Sequence, residues 1–234
     1  MKYQAIIFDV GDTLLENYPS EKQIFVDRIK CLNFEVDDQL AVAIANAIME
    51  VANEQIQKEQ KGVSRMSDED FVAMQDKVAL SCVKTNKDET EMLKILSRIP
   101  LPKQELKIIP GTMEVLQTLR DRGFRLGIVS NHRAWLLDFL VENGLSAFFE
   151  TIIISDIVGV EKPDVRIMQI ALDRLLLDAS SCLYVGDHPL DVLCSKNAGI
   201  DCVWLTSVCS ILPNGVPCKE DYRIEKLQDL IEIV

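Results

Sequence analysis

Asp9, Ser130, Lys162, Asp187 and Asp191 are the residue types that phosphorus chemistry needs. The three carboxylates are hard oxygen donors of the kind that hold Mg²⁺. Lys162 offers a positive charge, and Ser130 a hydroxyl donor, to the oxygens of a phosphate. The backbone N–H groups of a Gly11-Asp12 turn would complete such a cradle. A carboxylate attacking phosphorus forms an aspartyl phosphate, while metal and ammonium offset charge on the transferring group. Each residue alone has an ordinary reading. Asp9-Val10-Gly11-Asp12-Thr13 is good turn composition, and one Asp after one strand caps a turn as readily as it reacts.

The positions of these residues carry more weight than their types. Ala5-Ile6-Ile7-Phe8 is too short and too apolar for a surface helix and reads as a strand buried on both faces, in the middle of a parallel sheet. Further strands are expected over 125–131, 151–155, 182–185 and 202–205, alternating with helices over 113–119, 134–142, 164–176 and 191–198. That alternation implies right-handed βαβ units and one parallel sheet. Asp9 follows the first strand, Ser130-Asn131 ends the second, Glu161-Lys162-Pro163 follows the third, and Gly186-Asp187-His188-Pro189-Leu190-Asp191 follows the fourth. In a parallel sheet all these carboxyl ends lie on one edge, where open α/β sheets place their ligands.

Between Ser20 and Ile99 the rhythm is helical, with a single glycine, Gly62. Leu40, Ile44, Ile48 and Val51 recur at helical spacing behind Asp37-Asp38, and Ser67 with Asp70 makes a capping box ahead of Phe71, Met74, Val78 and Cys82. This is a helical bundle inserted after the first strand, and its apolar stripes read as packing. Pro100, Pro102 and Pro110 return the chain to the strand–helix alternation. Residues 209–217 read as loop and 224–234 as a final surface helix.

Composition bounds the class. With 234 residues, 48% of them hydrophobic, the chain can bury a core domain and a smaller one. A net charge of −12 argues against nucleic acid polymers and anionic membranes as partners, so attraction for an anionic substrate must arise locally. The seven cysteines form no CxxC pair, which reads as a reducing, cytoplasmic setting. No apolar run approaches the ~20 residues of a membrane span. Monomer and homodimer are both open.

Taken together, FDVGDTL, IVSN, GVEKPD and VGDHPLD resemble, in order, the four motifs of the haloacid dehalogenase superfamily, a group dominated by aspartyl-phosphate phosphatases. PGTMEVLQTLRDRGFRLGIVSN and KNAG are similar to its linking text. The resemblance implies an α/β fold, a three-layer Rossmann-like core over 1–15 and 100–234, with a small helical-bundle cap over 16–99. It resembles the subfamily of β-phosphoglucomutase and many sugar-phosphate or nucleotide phosphatases. It further implies a phosphoric monoester hydrolase acting on a small phosphorylated metabolite with Mg²⁺. Asp9 would be nucleophile and metal ligand. Ser130 and Lys162 would bind the phosphoryl group, with Asn131, Gly11 and Asp12 beside them. Asp187 would ligate the metal, with Asp191 supporting it and Gly11 giving a backbone carbonyl.

One position departs from the pattern. Two residues after the nucleophile the family usually has a second Asp, which protonates the leaving group and then activates water. Here that residue is Gly11, and Asp12 stands where the family usually has Gly. A placed general acid is typically worth ~10²–10⁴ in rate, roughly 3–5 kcal/mol of barrier. Four expectations follow: Asp12, His188 or a cap residue takes over; the substrate has a good leaving group; a carbon–halogen or carbon–phosphorus bond is broken instead; or catalysis has lapsed into phospho-ligand binding. Asp187 and Asp191 speak against the metal-free, halide-releasing branch. The retained Asp9, Lys162 and Asp187 speak against lapsed catalysis.

Overall fold

The computed structural model describes residues 2–60, 63–64, 66–206 and 219–234, so the loop expected over 209–217 lies outside the described residues. The chain opens with β1 (Ala5–Phe8) and leaves through β2 (Leu15–Tyr18). Four helices follow, α1 (Glu21–Cys31), α2 (Asp38–Gln60), α3 (Asp68–Ser81) and α4 (Glu89–Leu96). The return begins with β3 (Glu105–Ile108), α5 (Thr112–Asp121), β4 (Arg125–Ser130) and α6 (Leu136–Glu142). Next come β5 (Thr151–Ile154), the one-turn α7 (Ser155–Val158), α8 (Arg166–Leu175) and β6 (Cys182–Gly186). The last elements are α9 (Pro189–Asn197), β7 (Asp201–Leu205) and β8 (Tyr222–Ile224).

Six strands form one sheet in the order β5-β4-β1-β6-β7-β8, and every neighbouring pair is parallel. β1 is central, and Ile6, Ile7 and Phe8 are fully buried, because a strand covered on both faces can be made only of such residues. Helices flank the sheet: α5 and α8 pack on β4, and α9 packs on β6 and β7. The chain builds outward from β1 through β4 to β5, then restarts at β6 on the other side of β1. The carboxyl ends beside this reversal are where a parallel sheet opens a crevice.

The chain divides into two compact units, Met1–Glu16 with Lys107–Val234, and Asn17–Leu106. Among its described residues, the regular structure of the second is helical apart from its two ends. Ser20, Ser67 and Asp88 cap α1, α3 and α4 by accepting hydrogen bonds from first-turn N–H groups. Ile24, Phe25, Ile29, Ile44, Ile48, Leu80, Met92 and Leu96 make its core. Across that core Arg28 grips Asp76 with two parallel hydrogen bonds of 2.7 and 2.6 Å, and two further N–H groups reach the carbonyls of Leu96 and Ile99.

The structure adds one pair of strands and corrects one sequence expectation. β2 and β3 form a separate two-stranded sheet that the apolar pattern did not reveal. The stretch 224–234 is not a surface α-helix: Ile224 ends β8 and pairs with Leu205, and only Leu227–Glu232 coils, as a 3₁₀ helix. Ile224, Leu227, Leu230 and Ile233 recur every third residue, which matches three residues per turn rather than 3.6. Leu227 and Leu230 are buried, so this tail is part of the core rather than an ornament on it.

Candidate active site

Register places the chemistry. Phe8 lies opposite Ile128 of β4 and Val185 of β6, so Asp9 emerges level with Val129 and Gly186. The N–H of Asp9 donates to the Val185 carbonyl at 2.9 Å, extending the ladder one residue and fixing where the carboxylate starts. The chain then folds back, with the Val10 carbonyl accepting from the N–H groups of Leu14 and Leu15 at 2.9 Å each. Asp12 takes the left-handed conformation, φ +53°, which Asp tolerates better than most residues. Gly11 does not need to be glycine on these grounds: a Cβ there would meet nothing within 4 Å. The demanding backbone position holds Asp12, and the undemanding one holds the glycine.

Lys162 is the hub. It does not sit at the strand end but eight residues past β5, after α7 and the left-handed Gly159 turn the chain back. Asn131, just past β4, holds it there: its side-chain amide donates to the Lys162 carbonyl at 2.9 Å and accepts from the Lys162 N–H at 2.7 Å. The buried ammonium donates to Asp9 Oδ1 at 2.7 Å, to Asp191 Oδ1 at 2.5 Å and to the Tyr184 hydroxyl at 3.1 Å. An ammonium has three hydrogens, so all are engaged.

Asp191 lies in the first turn of α9 rather than at a strand end. With His188 as N-cap it makes a capping box: Asp191 Oδ2 accepts from the His188 N–H at 3.0 Å, and His188 Nδ1 accepts from the Leu190 N–H at 3.1 Å. Asp187 accepts from the Thr13 hydroxyl at 3.1 Å through its carboxylate and from Trp204 Nε1 at 2.8 Å through its carbonyl. Ser130, the last residue of β4, is buried beside this group in sequence and register.

The electrostatics are those of a site short of positive charge. Burial pushes Asp187 well above the usual carboxylate range, and the charges of Asp191, Asp9 and Asp12 push the same way. Burial raises Asp9 too, against the opposing pull of Lys162. For Lys162, burial works against the ammonium, but Asp191 and Asp9 outweigh it and hold the proton firmly. Burial keeps His188 neutral to lower pH than usual. One ammonium faces three carboxylates whose oxygens lie within 4.8 Å of one another. That remainder of two negative charges on hard oxygen donors fits a divalent cation.

Of the residues singled out in the sequence, Asp9, Lys162, Asp187 and Asp191 come together directly. Ser130, Gly11 and Asp12 border them on the same strand ends, and both ends of the Asn131 side-chain amide go to the Lys162 backbone. Tyr184, inside the apolar run CLYVG, was missed. Its hydroxyl is buried among these groups, and only the fold shows that it reaches a lysine 22 residues earlier. His132 turns aside: its Nδ1 lies against the Arg133 carbonyl and its ring against Trp135.

Known proteins resemble this chain in sequence and in fold. Glyceraldehyde 3-phosphate phosphatase of Pyrococcus abyssi is 36% identical over 134 residues, covering 55% of this chain and 56% of that protein. Pyrophosphatase PpaX of Bacillus velezensis is 36% identical over 124 residues, covering 51% and 56%. The matched segment thus spans little more than half the length of these curated relatives. In three dimensions, the HAD-hydrolase YfnB from Bacillus subtilis, solved bound to magnesium, superposes with a TM-score of 0.62 at 20% identity, covering 100% of this chain and 99% of that one. The family pattern of the haloacid dehalogenase-like hydrolases matches residues 6–205. With that match spanning the central strand, the lysine loop and the acidic turn, the chain belongs to the haloacid dehalogenase-like hydrolases.

Proposed function

We propose that the protein is a Mg²⁺-dependent phosphatase that acts on a small phosphorylated metabolite through an aspartyl phosphate on Asp9. The observation that carries the reading is the buried contact between Lys162 Nζ and Asp9 Oδ1, 2.7 Å, at the end of the central strand. Lys162 orients the carboxylate and occupies one oxygen, which leaves the other to attack phosphorus. The bond from phosphorus to the leaving group breaks as the Asp9–phosphorus bond forms, and water then cleaves the acyl phosphate, releasing inorganic phosphate and restoring Asp9. Ser130 donates its hydroxyl to a phosphoryl oxygen, and Lys162 offsets the charge that develops there. Because its three hydrogens are already engaged, Lys162 must exchange one partner to meet that oxygen. Asn131 keeps the lysine loop in place during the exchange. Mg²⁺, held by Asp9, Asp187 and the Gly11 carbonyl with Asp191 behind them, would supply further stabilisation of negative charge.

The helical unit over 17–106 would be the cap, excluding water and setting specificity. Gly11 brings no carboxyl group to protonate a leaving group, so acyl, aryl and anhydride phosphates should turn over better than alkyl esters. The names of the relatives, a triose-phosphate phosphatase and a pyrophosphatase, support a small phosphorylated substrate.

Phosphate release should be measured across alkyl, aryl, acyl and anhydride phosphates, with Mg²⁺ and with chelator, for the wild type and Asp9→Asn. Cation-dependent release that vanishes in Asp9→Asn is expected. Release that ignores Asp9, or silence across the panel alongside tight binding of a phosphorylated ligand, would replace the enzyme with a binding protein.

A further inference from the structure

Tyr184 stands on β6 opposite Ile7 of the central strand, fully buried, with its ring 5.7 Å from Lys162 Nζ. Its hydroxyl touches three separate segments. It is 3.1 Å from Lys162 Nζ, 3.1 Å from Asp191 Oδ1 on α9, and 2.9 Å from the carbonyl of Val129, the residue before Ser130. A phenol has one hydrogen to give. The shorter contact gives it to Val129, and a lone pair accepts from Lys162. Asp9 and Asp191 are charged acceptors of that ammonium; Tyr184 is the neutral one.

We infer that Tyr184 is a positioning residue, which locks the Lys162 ammonium against Asp9 and ties it to the backbone that carries Ser130. The inference deepens the phosphatase reading and rests on it for its kinetic part. Two carboxylates take two of the three ammonium hydrogens and leave the third without an acceptor in a buried site. A third acceptor at a fixed point takes that hydrogen, and because it is uncharged it does so without adding to the negative charge of the site. The same hydroxyl satisfies a buried carbonyl that would otherwise lack its side-chain donor. A residue kept only for packing would need the ring and not the hydroxyl.

Tyr184→Phe keeps the ring and removes the oxygen, and the full-length protein with Mg²⁺ is compared with the wild type on p-nitrophenyl phosphate and acetyl phosphate. The expected result is a kcat lower by about 10–100-fold, as for a reacting group displaced by a fraction of an ångström, with KM changed less than about threefold. A second readout does not depend on turnover. The ¹⁵N signal of the Lys162 ammonium, assigned by its loss in Lys162→Arg, should exchange with water about tenfold faster in Tyr184→Phe, because one of its hydrogens has lost its partner. Should Tyr184→Phe fail to fold, 3-fluorotyrosine at position 184, a poorer acceptor, should speed that exchange at least about threefold. Unchanged kcat with unchanged exchange overturns the inference, as does a change confined to KM. If the wild type releases no phosphate from either compound, the phosphatase reading fails there, and ammonium exchange alone decides for or against Tyr184.

Discussion

The carboxylate of Asp191 occupies the space that a Cβ on Gly186 would need: a Cβ built there falls within 2.6 Å of the Asp191 Cβ and closer still to its carboxylate. A glycine at the end of β6 therefore lets α9 tuck its first turn under the strand, where Asp191 reaches both Lys162 and the His188 N–H. Gly186→Ala must push Asp191 away. Stability should fall by about 1–3 kcal/mol, the usual cost of overpacking. Phosphate release should fall about 10²-fold through displacement of Lys162. Denaturant titration and an initial-rate assay check the pair, and a wild-type value in both would show that the backbone absorbs the methyl group.

The exchange of roles between Gly11 and Asp12 makes a sharper kinetic prediction. A side chain fits at position 11, and the left-handed position 12 suits glycine. The double variant Gly11→Asp/Asp12→Gly should fold with stability within about 1 kcal/mol of the wild type, since relief of strain at 12 is offset by the added freedom of glycine in the unfolded chain. On the proposed mechanism it should raise turnover of alkyl phosphates by up to about 10²-fold and leave acyl phosphates nearly unchanged. Equal gains on both classes would mean that position 11 acts on something other than the leaving group.

Cation binding and charge relief should trade places at Asp187. Without a cation, its buried carboxylate adds to two others, so Asp187→Asn should raise the melting temperature of the chelated protein. With Mg²⁺ at about 100 times its dissociation constant, the wild type should gain about 2.7 kcal/mol and Asp187→Asn little or none. Differential scanning calorimetry with Mg²⁺ and with chelator reads both signs. A variant that is destabilised in chelator and still gains from Mg²⁺ would remove Asp187 from the cation site.

At the opposite, amino-terminal ends of the strands, Asp201 gives the fold a mild sensitivity to acid. Lys2 and the Tyr3 hydroxyl both donate to its carboxylate at 2.7 Å and hold it below the usual carboxylate range. A carboxylate depressed in the folded state stabilises fully above its unfolded value, about 4, and loses that contribution as pH falls through the folded value. Lys2 is mostly exposed and solvent screens the pair, so the contribution should be small. Urea midpoints from pH 5 down to 2 should show a shallower decline for Asp201→Asn than for the wild type, and parallel curves would discount the pair.

How much of this was legible in the sequence differs by residue. β1 announced itself because a strand buried on both faces admits only apolar residues, and Asp9 stands out against them. Asp187 and Asp191 were readable as a cluster and a helix was readable from Asp191 onward, although the tuck of that carboxylate against Gly186 was not. β2 and β3, with sequences LENY and ELKI, are half exposed, and such short mixed stretches resemble loop. Asn131 looked like a ligand for phosphate because its partner, the Lys162 backbone, lies 31 residues away. Tyr184 was hidden for the same reason: its apolar neighbours describe the strand it belongs to and say nothing of where its hydroxyl ends. The threefold spacing of the tail imitates an amphipathic helix, and only the burial of Leu227 and Leu230 on a 3₁₀ turn shows its pitch.

The two places where the chain departs into the helical unit and comes back are themselves joined. The Ile109 N–H donates to the Leu14 carbonyl at 3.0 Å, and β2 pairs with β3. Ninety residues are thus inserted at what is, for the sheet, a single point. Such a junction makes the helical unit a cassette: evolution can lengthen it, trade it or rewrite its surface without moving a strand end. On the proposed function, the groups at the strand ends and the residues of the helical unit can then change at different rates, and specificity can drift while the chemistry stays where β1 put it.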